Sequence, residues 1–358
     1  MTSDTTSPKP ARKKLEVPLY VPPARQAAQG QAVSLPQVVA PSLEGLAVTV
    51  ASSEGFTAEQ VKERFQELAR PYATERMRSL EEQLAWGDEV LLNIIGYSQG
   101  HLLPFSVRTN VWLPLEPDSQ LPGFYETLVG RAPRQSVVMD LTLPRDYPIE
   151  ALRGTPARFM VDVQAAREVT YLEPESAQFL QAFGRGATLG EAMRSVVQQM
   201  QNEYTQLLLL QAQQQVLDEV ATRTQGEIPA PLIDEEIRRR WGASEGKSLM
   251  ELNLSDEEQQ ESLSTWLKDT GTRAEAERRL RIALALGAIC KRDGLTLTPE
   301  VVEKVLRAQA TAAGLTMEEA AAALRAEPQQ LSRIDQAAWH LMAVDHVMSK
   351  AQLRFGGA

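Results

Sequence analysis

In two runs between Ser136 and Val163, apolar residues recur at every second position. Val137, Met139, Leu141 and Leu143 alternate with Val138, Asp140 and Thr142, and Ala157, Phe159, Val161 and Val163 alternate with Arg158, Met160 and Asp162. A period of two sends one set of side chains to a buried face and the other to water, as an antiparallel sheet with one solvated face requires. The stretch from Trp86 to Val163 therefore reads as short strands separated by turns. Within it, Leu121-Pro122-Gly123-Phe124 is a turn feeding one short helix over Tyr125-Glu126-Thr127-Leu128-Val129. The predicted unit is a small sheet wrapped on a helix, an α+β domain of about 80 residues.

Upstream, Leu43 to Val50 predicts a strand, and a helix is predicted to start at Thr57. Thr57 and Gln60 stand at capping-box spacing, and Phe56 and Val61 occupy the hydrophobic-staple positions. Val61, Phe65 and Leu68 then share one face, and Pro71 helps to end the run. From Leu172 to the end the pattern is helical almost throughout. Four more capping boxes mark helix starts: Thr188 with Glu191, Ser255 with Glu258, Thr272 with Glu275, and Thr316 with Glu319. Thr298-Pro299 sets a cap before a first-turn proline. Leu189 to Val220 predicts a single helix of about 30 residues, near 45 Å, longer than a compact globule needs. Pro229 and Pro231 break the chain before Leu232 to Trp241 resumes.

Composition narrows the class. The 358 residues are 43% hydrophobic and 23% charged, ordinary for a globular protein and enough for two or three domains. Residues 1–36 are the exception, rich in Pro, Ser, Thr, Ala and Gln with a basic cluster at Lys9, Arg12, Lys13 and Lys14. They cannot bury enough apolar surface to offset their ordering entropy, and read as a disordered tail or a basic arm for an acidic partner. A net charge of −10 disfavours nucleic-acid binding, which depends on Lys and Arg neutralising phosphates. The single cysteine, Cys290, excludes an internal disulfide, and with three histidines it makes a structural zinc site a poor fit. The longest apolar tract, Ile282 to Ile289, is too short for a membrane span and no signal-peptide core is visible, so a cytoplasmic protein is expected.

The order of parts resembles bacterial trigger factor, a ribosome-associated folding chaperone. The similarity to its FKBP-like isomerase domain begins at Gly87-Asp88-Glu89-Val90. It continues through Leu121-Pro122-Gly123-Phe124, Leu141-Thr142-Leu143-Pro144-Arg145-Asp146-Tyr147, Leu152-Arg153-Gly154 and Ala157-Arg158-Phe159. The helical part is similar in Phe179-Leu180-Gln181-Ala182-Phe183-Gly184 and in Ile228-Pro229-Ala230-Pro231-Leu232-Ile233-Asp234-Glu235-Glu236-Ile237. The resemblance implies a multidomain α+β chain, in which a small antiparallel FKBP-like sheet domain precedes an elongated all-α arm domain. The expected division is a tail over 1–36, a strand-helix linker over 37–82, the isomerase-type domain over 83–168 and the helical chaperone domain over 169–358.

The chain departs from the family in two places, one bearing on ribosome docking and the other on catalysis. Trigger factors open with a domain carrying a Gly-Phe-Arg-x-Gly-Lys ribosome-docking loop, which this sequence lacks, so docking by that route is not expected. The second concerns the isomerase pocket. Twisting an X-Pro amide means crossing a barrier of about 20 kcal/mol, which FKBP-like sites lower with an apolar, aromatic-walled cavity. The resemblance assigns Leu121, Phe124, Tyr147 and Phe159 to that wall. Ile94 stands where the family carries an aromatic, Leu103 and Val111 replace phenylalanines, and Pro104 replaces an acidic residue. Losing three aromatic faces and a carboxylate predicts weak or absent isomerase activity. Core packing explains the same aromatic residues equally well.

A chaperone must hold apolar segments of many sequences, which favours scattered apolar and flexible side chains, methionine among them. Candidate client-facing residues in the helical part are Met193, Met200, Leu207, Leu210, Met250, Leu252, Trp266, Met317, Leu324, Met342 and Met348; the bland reading of each is packing between helices. His340 and His346, six apart, do not share a face for a metal, and no catalytic triad order or phosphate loop is present. The sequence thus favours an ATP-independent chaperone with no cofactor or metal, acting on unfolded or nascent polypeptides. The alternatives are a working prolyl isomerase with a remodelled pocket, and an adaptor dedicated to a single partner.

Overall fold

The computed structural model describes residues 35–52, 55–103, 105–117, 121–147, 152–326 and 328–357. The basic cluster of the tail and Pro104 lie outside the described residues. In chain order the elements are β1 (Ala47–Ser52), α1 (Ala58–Ala69), β2 (Thr74–Met77), β3 (Glu89–Ser98), β4 (His101–Leu102), β5 (Arg108–Pro114), α2 (Phe124–Leu128), β6 (Ser136–Thr142) and β7 (Pro156–Thr170). The helical series comprises α3 (Ala177–Phe183), α4 (Leu189–Arg223), α5 (Ala230–Ala243), α6 (Glu245–Glu251), α7 (Asp256–Lys268), α8 (Thr270–Arg292), α9 (Pro299–Ala313), α10 (Met317–Ala326) and α11 (Pro328–Lys350). A last strand, β8 (Gln352–Gly357), closes the series. This is an α+β chain, with a small antiparallel sheet among long helices.

Two compact units emerge, and neither is a continuous stretch of chain. One comprises the described residues within Ser53–Leu207 and Ile237–Arg273, the other those within Met1–Ser52, Leu208–Glu236 and Ala274–Ala358.

The first unit holds the six-stranded sheet, in which β2, β7, β3 and β4 lie side by side, β5 adds to β3 and β6 adds to β7. All pairings are antiparallel. The alternation read from sequence is realised: Val137, Met139, Leu143, Ala157, Phe159, Val161 and Val163 are buried in one apolar cluster with Val90, Leu92, Phe124 and Leu128. Gly87-Asp88-Glu89 acquires a structural role. Asp88 is buried and its carboxylate accepts both Arg78 Nε at 2.5 Å and Nη2 at 2.8 Å, and the Ala85 amide at 2.8 Å. Glu89 lies between Arg70 and Arg167, which hold its carboxyl below the usual carboxylate range, Arg70 contributing most. Arg167 also rests its guanidinium 4.2 Å from the centre of the Trp112 ring, a cation–π contact.

A second cluster in the same unit joins α1, α3 and the start of α4. Phe179 and Phe183 stack at 4.9 Å, and Phe65 meets Phe183 edge-on at 5.4 Å. The Thr57 capping box forms in both directions, with Gln60 N 3.2 Å from Thr57 Oγ1 and Thr57 N 2.9 Å from Gln60 Oε1.

The other unit buries Leu46, Val216, Val220, Ala285, Ile289 and Val347 together, drawn from the residue before β1, from the end of α4, from α8 and from α11. Beside them β1 and β8 pair in parallel, Ala47 opposite Gln352 and Ser52 opposite Gly357. Three expectations are corrected. The first strand starts at Ala47, because Glu44 and Gly45 form a turn. The chain ends in a strand rather than a helix, since Gln352 N bonds to Leu46 O at 2.8 Å and α11 stops at Lys350. Thr272 is not a helix cap: Asp269 caps α8 by accepting the Thr272 amide at 2.7 Å, and Glu275 turns instead to Arg278 and Arg279. The boxes at Ser255 and Thr316 form as read. Leu189–Arg223 is one helix of 35 residues.

Candidate functional site

The four wall residues do come together. Phe124 and Phe159 are buried in the sheet cluster, and Leu121 and Tyr147 pack against it half-buried. The Phe124 and Phe159 rings meet edge-to-face, 5.9 Å apart at 88°. Ile94 and Leu103 are buried in the same cluster and Val111 is half-buried against it. Gly96 in β3 makes the arrangement possible, because a Cβ there would lie 2.9 Å from the Phe159 ring and 3.1 Å from Leu103. The Tyr147 backbone is fixed on both sides, its amide bonded to Pro144 O at 3.2 Å and its carbonyl accepting Arg153 Nε at 2.9 Å. Burial pushes the Tyr147 hydroxyl up from its ordinary range, with a smaller push from the Glu245 charge.

Glu245 lies in α6, and its proximity exposes a feature the sequence did not reveal. The segment Ile237–Arg273 packs on the loop between β4 and β5, next to the wall residues. Leu102 and Val107 are buried with Leu249, and Trp241, Leu252 and Leu254 surround them. Phe105 is held at φ +62°, a strained conformation for a bulky side chain, and its ring sits 4.9 Å from that of Trp266. Glu245 is only 5% exposed; its Oε2 accepts Trp266 Nε1 at 2.5 Å and the Phe105 amide at 3.4 Å, while Oε1 is buried with no partner among the described residues. Burial pushes its carboxyl up, opposed by those two donors and by the charge of Arg108. Around this centre Tyr97 donates to Glu258 at 3.0 Å, Thr109 to Glu251 at 2.8 Å and Trp241 Nε1 to Ser262 at 2.8 Å. Gly246 lets the Trp241 ring lie flat on α6, since a Cβ there would come within 2.9 Å of it. The sequence signal was the pair of tryptophans flanking a glutamate-glycine step, whose large rings and N–H groups demand internal partners.

The candidate client residues divide by exposure. Leu207 is 48% exposed, Leu210 60% and Met250 55%. Leu209, which the helical pattern did not single out, is 41% exposed. Met193, Leu252, Met317, Leu324, Met342 and Met348 are half-buried. Met200 and Trp266 are buried with internal partners, Met200 among the phenylalanines of α3 and Trp266 on Phe105 and Glu245, so both serve packing. No group of His, Cys, Asp or Glu among the described residues could hold a metal ion, and no helix among them is long and apolar enough to cross a membrane. His346 Nε2 lies 2.8 Å from Asp293, and Cys290 is buried, its thiol pushed up by burial.

Residues 188–349 match the family described as the bacterial trigger factor protein C-terminus. The trigger factor of Granulibacter bethesdensis is 25% identical over 325 residues, 89% of this chain and 70% of its own length. That of Gluconacetobacter diazotrophicus is 26% identical over 282 residues, and that of Carboxydothermus hydrogenoformans 28% over 278. The chain spans 61% and 63% of those two relatives. A solved chain described under "Promiscuous Substrate Recognition in Folding and Assembly Activities of the Trigger Factor Chaperone" shares 14% identity at a TM-score of 0.35, covering 88% of this chain and 73% of that one, a likeness too slight to argue from. An α+β chain with this sheet and this helical series, matched over its helices by that family, is a trigger factor-like protein.

Proposed function

We propose that the chain is an ATP-independent folding chaperone that holds apolar segments of unfolded or nascent polypeptides in the cytoplasm. One observation carries the reading: Leu207, Leu209 and Leu210 stand exposed in the middle of α4, in a glutamine-rich stretch with few charges. An exposed apolar run within polar surroundings is a surface that binds other apolar chains weakly and without a fixed sequence. Several weak contacts of this kind, Met250 among them, add through effective concentration and release readily. The test is light scattering from a chemically denatured client diluted into buffer without nucleotide. Suppression across several unrelated clients supports the reading, and suppression of none, or of a single one, sinks it.

Isomerase activity is proposed to be weak or lost. Supporting this are the aliphatic walls at Ile94, Leu103 and Val111 and the helical segment held over the adjoining loop by Phe105, Trp266 and Glu245. The expected rate for a short X-Pro peptide with the full chain is the uncatalysed one; acceleration abolished by Tyr147→Ala would instead make it an isomerase. Action away from the ribosome is also proposed, and stable co-sedimentation with vacant ribosomes would contradict it.

A further inference from the structure

The segment packed on the β4–β5 loop shows what that surface of the sheet accepts. Ile95 and Tyr97 point away from the side of β3 that buries Leu92 and Ile94. With Leu102 and Val107 they receive Leu249, which is fully buried, and Leu252 and Leu254 lie beside it. The polar contacts around these leucines share one polarity. Four carboxylates stand on the segment and meet groups on the sheet side: Glu245 meets the Phe105 amide at 3.4 Å, Glu251 the Thr109 hydroxyl at 2.8 Å, Glu258 the Tyr97 hydroxyl at 3.0 Å and Glu261 the Nδ1 of His101 at 2.5 Å. The charge of Arg108 also acts on Glu245. This surface therefore takes leucines flanked by acids.

The contact is held at a cost. The Ser106 amide bonds to Leu103 O at 3.2 Å, closing a four-residue turn whose third residue is Phe105 at φ +62°. Glycine or asparagine suits that position, and a bulky side chain there is strained. Glu245, buried against Trp266, keeps its carboxyl out of water, which is unfavourable to its charge. Undocking relaxes Phe105 and returns Glu245 to solvent, so a competing segment displaces this one without meeting either cost. We propose that this surface is a client-docking site for apolar segments that carry acidic residues, and that residues 248–255 fill it as an internal competitor which such a client displaces. This rests on the chaperone reading and adds to it a place, a charge preference and a built-in brake.

The experiment follows the fluorescence anisotropy of a fluorescein-labelled peptide of residues 246–258 titrated with the full chain. In the parent the internal segment holds the surface, so the apparent affinity is reduced by the small open fraction. Leu249→Ala empties the centre of the internal contact and tightens peptide binding about 30-fold or more. Phe105→Ala acts outside the peptide's footprint, removing the ring from Trp266 while the backbone strain remains, and tightens binding about tenfold or more. Lysine in place of both glutamates that match Glu251 and Glu258 weakens the peptide about tenfold. Isoleucine, valine and phenylalanine in place of its three leucines keep it within about tenfold, because a pattern is read and not one sequence. In the parent, saturating peptide speeds amide exchange within residues 241–266. The proposal is overturned if that exchange is unchanged, if neither variant binds more tightly than the parent, if the lysine peptide binds as well, or if only the original sequence binds. Peptide binding is read without any aggregating client. A chain that binds the peptide and suppresses no aggregation keeps the docking site and loses the chaperone reading; suppression without peptide binding does the reverse.

Discussion

The contact between Trp266 and Glu245 can be tested at a defined magnitude. Trp266→Phe keeps an aromatic ring against Phe105 but removes the indole N–H that Glu245 accepts at 2.5 Å. A hydrogen bond to a charged group contributes about 1.5–3 kcal/mol, and Glu245 is only 5% exposed, so bulk solvent has little access to replace it. Among the described residues, the only other donor to this carboxylate is the Phe105 amide at 3.4 Å, a long bond. Since two compact units make global unfolding a poor measure, the suitable assay is native-state hydrogen exchange of amides in Leu102–Thr109 and Trp241–Trp266. A loss of that size speeds exchange there about 10- to 150-fold, at 1.4 kcal/mol per tenfold. In a Glu245→Gln background the acceptor is neutral, and the same substitution should cost only about 0.5–1.5 kcal/mol. Unchanged exchange in Trp266→Phe, or the same loss in both backgrounds, would refute the idea that this bond clamps the segment to the loop.

Two further predictions rest on buried charge. Burial raises the Glu245 carboxyl pKa above its unfolded value, so the folded state holds its proton longer, and the associated stability, full below the unfolded pKa near 4.3, is lost as pH rises through the folded value. Glu245→Gln should therefore exchange like the parent at pH 4 and more slowly at pH 7; a difference independent of pH would argue against it. Asp88→Ala strands Arg78, itself 13% exposed, and should destabilise the sheet by about 3–5 kcal/mol as broken buried pairs do, read as faster exchange in β3 and β7; a change under about 1 kcal/mol would show that Arg78 finds water.

What the sequence made legible was local. The capping boxes at Thr57, Ser255 and Thr316 involve residues three apart, and the alternation in β6 and β7 needs only a period of two, so each could be read in place. The same locality explains the miss at Thr272. Asp269 and Thr272 offer overlapping caps, and the choice fell to Asp269 because Glu275 is drawn to Arg278 and Arg279. Strand β8 has four residues of alternation and a partner some three hundred positions earlier, so nothing nearby signals it. Trp266 was legible as a large apolar residue but not as an interior one, since its partners Phe105 and Glu245 are remote in sequence. The wall residues were legible through the family resemblance, and their convergence depends on Gly96, whose role is visible only once Phe159 is seen lying across it.

The chaperone reading turns on whether clients touch the exposed leucines of α4. A photocrosslinking amino acid at Leu210, 60% exposed, should leave the fold intact, because surface substitutions shift stability by only about 0.5 kcal/mol. Irradiation with an unfolded client should yield chain–client adducts that disappear when the client is native and fall when Leu207 is changed to lysine. Adducts absent from position 210, in a chain that still suppresses aggregation, would contradict the account and place client binding elsewhere.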